Sequence, residues 1–122
     1  MLEITNAVKV FAPSTPNEMK ALNGLNLKLE DGEFVTIIGS NGAGKSTLFN
    51  AICGNFWLDS GIILLDGENI TFKSEHKRAK VIGRIFQDPM KGTAPNLTIE
   101  ENLALAYSRS KHAGLRSAVT KK

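Results

Sequence analysis

Cysteine is almost missing from this sequence. Cys53 stands alone in 122 residues, which excludes a disulfide scaffold and suits a reducing compartment. Aromatic residues are sparse at 7%, with one Trp and one Tyr, and no basic face interleaved with aromatics is visible, so no nucleic-acid partner is expected. Long apolar runs are lacking too: Ile62 to Leu65 is typical of the longest, far short of the ~20 residues a spanning helix needs. Met1-Leu2-Glu3 does not open a secretory leader. The glycines have no period, and a 42% hydrophobic, 22% charged chain has the balance of one soluble globular unit rather than a disordered or multidomain one.

Acidic residues are missing from the end of the chain. Arg109, Lys111, Arg116, Lys121 and Lys122 follow Ser108 with no acid among them, whereas residues 1–108 carry ten basic against twelve acidic side chains. The formal net charge of +3 is therefore a property of a terminal tail, whose unbalanced charges favour fraying.

Hydropathy patterning predicts the elements. Leu2–Phe11 alternates and reads as a strand, Ala12–Met19 as a loop stopped by Pro13 and Pro16, and Leu25–Leu29 as a half-buried strand. Phe34–Ile38 is a nearly continuous apolar run of the kind buried on both faces and reads as an inner strand. Leu48, Phe49, Ile52 and Cys53 share one helix face that ends at Gly54. Asp66-Gly67 between apolar residues signals a hairpin. One or two helical turns are expected over Ser74–Lys80, a strand over Val81–Phe86, and a loop over Asp88–Leu97. Thr98-Ile-Glu-Glu101 forms a capping box that opens a helix through Ala106. That helix presents Leu103, Leu105, Ala106 and Tyr107 as an apolar face in search of cover.

The sharpest feature is Gly39-Ser40-Asn41-Gly42-Ala43-Gly44-Lys45-Ser46, a full match to G-x-x-x-x-G-K-[ST] set between an apolar run and a helix start. Gly42 and Gly44 let the backbone curl so that successive N–H groups aim at one anion, and the helix N-terminus adds its dipole. A polyphosphate such as ATP is the natural guest. Lys45 can reach the β- and γ-phosphates, the Ser46 hydroxyl can enter the shell of Mg²⁺, and Thr47 can bond the α-phosphate. Asp66 follows four apolar residues as a magnesium-holding acid would, but Gly67 behind it makes turn chemistry the better reading. His76 and His112 have no partners at ligand spacing, and Cys53 reads as packing.

In order along the chain, the Gly39–Thr47 loop, the Ser60–Gly67 hairpin, Ile85-Phe-Gln-Asp-Pro89 and Leu97-Thr-Ile-Glu-Glu-Asn-Leu103 resemble the N-terminal half of an ATP-binding cassette (ABC) ATPase. The resemblance implies an α/β fold: a partial P-loop NTPase core with an antiparallel β-subdomain over 1–87, and the start of the helical subdomain over 88–122, within one partial ABC domain. It implies that Gln87 is the Q-loop glutamine, contributing to Mg²⁺ and attacking-water geometry, so that Lys45 and Gln87 serve catalysis. Phe11 matches the position of an aromatic placed on adenine, although an ordinary core Phe is the plain alternative. Neither the LSGGQ signature, the late acidic pair nor the switch histidine of the family is found here. The sequence thus reads as roughly the first half of a cassette.

The implied activity is that of an ATPase subunit driving a membrane transporter, of bacterial importer type, seated in the cytoplasm against the inner face of the membrane. Its implied partners are a second ABC subunit, forming a dimer, and transmembrane permease subunits. Two other readings stay open: a soluble ABC ATPase of translation or DNA maintenance, and a nucleotide-binding module without turnover.

Overall fold

The computed structural model describes residues 1–108. The basic tail, and with it the expectation of fraying, lies outside them. The chain divides into two compact units, Met1–Arg78 and Ala79–Lys122.

In the first unit, β1 (Leu2–Phe11) pairs antiparallel with both β2 (Met19–Leu29) and β3 (Ser60–Leu65), and β4 (Glu68–Asn69) completes a sheet in the order β2-β1-β3-β4. The alternation read in β1 drives its central place: Ile4 and Ala7 are buried, and Ile4 lies opposite Leu27 on one side and Ile63 on the other. Asp66 and Gly67 join β3 to β4 with φ of 50° and 78°, the paired positive values that a two-residue hairpin turn requires. β2 begins at Met19, earlier than the alternation from Leu25 predicts. The first half of the strand is hidden by irregular pairing, because Gly24 falls as an extra residue between the pairs Ala7↔Leu25 and Val8↔Asn23, which breaks the period of two.

Helix α1 (Lys45–Cys53) buries Leu48 and Ala51 and packs against β2. These side chains join Ile4, Ala7, Leu22, Leu58, Ile63 and Ile70 as the core of the unit. Gly54 stops the helix at φ 86°, and its N–H returns to the carbonyls of Ala51 and Asn50. The short helix α2 (Glu75–Arg78) then delivers a side chain that no sequence pattern flags. Arg78 is 1% exposed. Its Nη1 donates to the carbonyls of Ala51 (2.7 Å) and Ile52 (2.9 Å), its Nη2 to Thr71 (2.8 Å), and its Nε to Lys73 (2.9 Å). A buried cation here is answered by oriented carbonyls, two of them at the negative end of α1. A Cβ at Gly54 would come within 2.9 Å of the Arg78 Nε, so the glycine also makes room for the guanidinium.

The second unit contains a 3₁₀ turn at Pro89–Gly92, started by Asp88, whose carboxylate accepts from the Met90 N–H, and helix α3 (Ile99–Ser108). The capping box forms as read: the Thr98 N–H donates to the Glu101 carboxylate (2.8 Å) and the Glu101 N–H to the Thr98 hydroxyl (3.3 Å). Asn102 reinforces it by accepting from the Ala94 N–H (2.9 Å) and donating to the carbonyls of Ala94 and Thr98. No residue of α3 is buried, and Leu103, Leu105 and Tyr107 are exposed. Among the described residues, no helix is long and apolar enough to cross a membrane.

Two expected strands do not form. Phe34–Ile38 and Val81–Phe86 carry no strand pairing, and Phe34, Ile38 and Ile85 are 94%, 90% and 99% exposed. An apolar run states that a segment suits burial on two faces; a strand also needs neighbours to take its ladder hydrogen bonds. Among the described residues, neither segment has one.

Two measurements check this account. Arg78→Met should cost about 1–3 kcal/mol in urea unfolding, because it takes their donor from the carbonyls of Ile52, Thr71 and Lys73. Asp59 supplies a pH signal: its carboxylate accepts from the Lys9 ammonium (2.8 Å) and the Val10 N–H (2.7 Å), which hold its pKa below the usual carboxylate range. A depressed folded pKa gives stability that is present above the unfolded value, near 3.8, and lost as pH falls through the folded one. Wild type should therefore exceed Asp59→Asn in stability at pH 6, and the gap should close as the pH drops below about 4.

Candidate functional site

The Gly39–Thr47 loop belongs wholly to the first unit. It curls through Gly42 and Gly44, both at φ 85°, with a tight turn in which the Ala43 N–H donates to the Ser40 carbonyl (3.2 Å). Gly44 is the N-cap of α1 and has no side chain to bond the first turn. The opening N–H groups of a helix have no partner within it, so residues 45–47 bring donors and the positive end of α1 to the end of the loop. A Cβ on Gly44 would lie 2.4 Å from the Ala21 carbonyl oxygen. Glycine is therefore required at this position twice over, for its φ and for the close approach of β2.

Lys45 is partly buried at the start of α1, and its ammonium donates to the carbonyls of Gly39 (2.5 Å) and Ser40 (2.7 Å). The cation is thus held over the loop itself. Ser46 is exposed and Thr47 half-buried. Behind the loop lies a cleft of about 530 Å³ between β2 and α1, lined by Ala21, Leu22, Ile37, Ile38 and Leu48 among others.

Phe11 lies at the end of β1, half-buried, with its ring 5.5 Å from that of Phe56 in an edge-to-face arrangement. The Lys9 ammonium sits 5.7 Å from the Phe11 centroid and 5.5 Å from that of Phe56, a cation over two aromatic faces that Asp59 anchors. The pairs Phe11↔Met19 and Val10↔Lys20 bring the end of β1 to the part of β2 whose Ala21 touches Gly44. Gln87 is exposed and belongs to the second unit. Asp66 lies in the hairpin turn, where its carboxylate accepts from the Met1 ammonium (2.5 Å). Asp31 meets the same ammonium, and together the two carboxylates raise its pKa to about 10. Sequence reasoning missed Ala21 and Arg78, the two contacts that hold the ends of α1. The only signal for the first lay in the broken alternation of β2.

An antiparallel sheet beside a glycine loop that opens a helix fits part of a P-loop NTPase cassette. The chain belongs to the ABC transporter family, whose profile matches residues 22–121. It is 44% identical over its whole length to the tyrosine transport ATP-binding protein of Clostridioides difficile, of which it covers 49%. It is 40% identical over 88 residues to an energy-coupling factor transporter ATP-binding protein, EcfA2, of Acetivibrio thermocellus, covering 72% of this chain and 31% of that one. Among solved structures it resembles the dimeric ATP-binding cassette MJ0796 in a post-hydrolysis state bound to ADP and Pi, with a TM-score of 0.76, 28% identity, and coverage of 95% of this chain and 50% of the other. The chain spans about half the length, or less, of these relatives.

Proposed function

We propose that this chain supplies the nucleotide-binding part of an ATPase subunit that powers import across a membrane. The observation that carries the reading is the seat at 39–47: a left-handed glycine cap with no side-chain bond, a first turn of donors, and a lysine ammonium held over the loop by two carbonyls. The residues fit a polyphosphate, because those N–H groups, the helix dipole and Lys45 are all positive and converge on one concavity. Gly39, Ser40, Asn41, Gly42, Ala43 and Gly44 would wrap the phosphates, Lys45 would turn from its carbonyls to the β- and γ-phosphates, and Thr47 would bond the α-phosphate. Ser46 would hold Mg²⁺, which supplies charge neutralisation of the phosphates when bound. Phe11 would offer adenine a flat face.

The name of the tyrosine transport relative supports a transporter subunit over a soluble ABC protein of translation or DNA maintenance. On this reading the intact subunit hydrolyses ATP as a dimer with a second ABC subunit and works on permease subunits, in the cytoplasm at the inner face of the membrane. The core and β-subdomain would span residues 1–87, and the helical subdomain would begin at residue 88. The present residues bind and orient nucleotide with negligible steady-state turnover, since phosphoryl transfer depends on positioning groups that Lys45 and Gln87 alone do not complete. Titration calorimetry tests the seat. MgADP should bind wild type, and Lys45→Ala should weaken it by about tenfold or more, the loss of a charge-assisted contact worth roughly 1.5–3 kcal/mol. Equal affinities would remove the assignment.

A further inference from the structure

The loop is held from behind by a strand irregularity. β2 has one residue more than β1 between the pairs Lys9↔Leu22 and Val10↔Lys20, so Ala21 is a bulge. Its carbonyl oxygen is what a Cβ on Gly44 would meet at 2.4 Å, with the buried Leu22 side chain also within 3.7 Å. The bulged backbone thus sits directly against the residue that caps α1 and turns the loop into the helix. Bulges re-aim a strand locally and gather beside functional sites, and this one lies between the ladder end that carries Phe11 and the cap of the phosphate seat.

We propose that the Ala21 bulge is a positioning element for the phosphate loop. By backing Gly44 with its carbonyl, it fixes the direction of the N–H groups at 44–47 and sets the offset between the loop and the end of β1. Ala21 touches no ligand; it acts through Gly44. The functional consequence rests on the nucleotide reading above, while the mechanical one does not. A binding loop held in its working shape saves ordering cost when the ligand arrives, so loss of the bulge should appear as lost affinity rather than lost fold.

The test compares the full chain with a deletion of Ala21, with Ala21→Gly and Ala21→Ser, and with a control deletion of Asn17 in the β1–β2 loop, which shortens the same connection. Amide hydrogen exchange at 39–47 without ligand, MgADP affinity and urea midpoint are read together. Deleting Ala21 should speed exchange in the loop and weaken MgADP about tenfold each, with a urea midpoint equal to that of the Asn17 deletion; Ala21→Ser should match wild type. Should the deletion not fold, Ala21→Gly, which keeps the bulge but loosens it, should show about threefold changes in both readouts. Unchanged loop exchange in the variants that fold, or changes that merely track global stability, would overturn the proposal. Faster loop exchange on deletion, in a chain whose wild type does not bind MgADP, would support the brace and refute the nucleotide reading instead.

Discussion

The guanidinium of Arg78 against the last carbonyls of α1 is the contact on which the first unit depends. A nine-residue helix is too short to persist alone in water, and α1 buries only Leu48 and Ala51. Arg78 ties its C-terminal carbonyls at Ala51 and Ile52 to those of Thr71 and Lys73, which follow the β3–β4 hairpin. The buried charge is tolerated because four oriented dipoles surround it, and it makes one body of the helix end and the strand return. At the other end, β2 closes on Gly44 through Ala21. A helix fixed at both ends presents its free N–H groups in one direction, which is what the proposed anion site needs.

How much of this was legible follows from how local each feature is. The glycine loop, the Asp66-Gly67 turn and the Thr98–Glu101 box are set by residues within a few positions of one another, and each forms as its spacing demands. The first half of β2 escaped because bulges at Ala21 and Gly24 destroy the alternation by which a strand is read. Phe34–Ile38 and Val81–Phe86 failed in the opposite sense: their composition states a preference for burial, whereas pairing is decided by residues far away in sequence. Arg78 resembles any surface arginine in a polar stretch, Ser74 to Lys80. Only the fold places Ala51, Ile52, Thr71 and Lys73 around it.

The candidate site divides along the same line. Residues 39–47 and the helix they open are one local structure and are assembled within a single unit. Phe11 reaches their vicinity through strand pairing, already engaged with Phe56 and Lys9, so a base arriving there would meet a preformed aromatic cluster instead of a free ring. Gln87 lies in the second unit. The exposed apolar side chains of α3 and of 34–38 are a surface cost of this chain, and the relatives it matches are about twice as long or longer.

The loop at 39–47, held by the fixed helix behind it, is the proposed polyphosphate seat. Backbone amide NMR of the labelled chain titrated with MgADP tests this most directly. The N–H signals of Gly42 through Thr47 should shift together and saturate along one binding curve, with smaller changes at Phe11 and little in β3 or α3. Shifts centred on any other segment, or none at the loop at millimolar nucleotide, would contradict it.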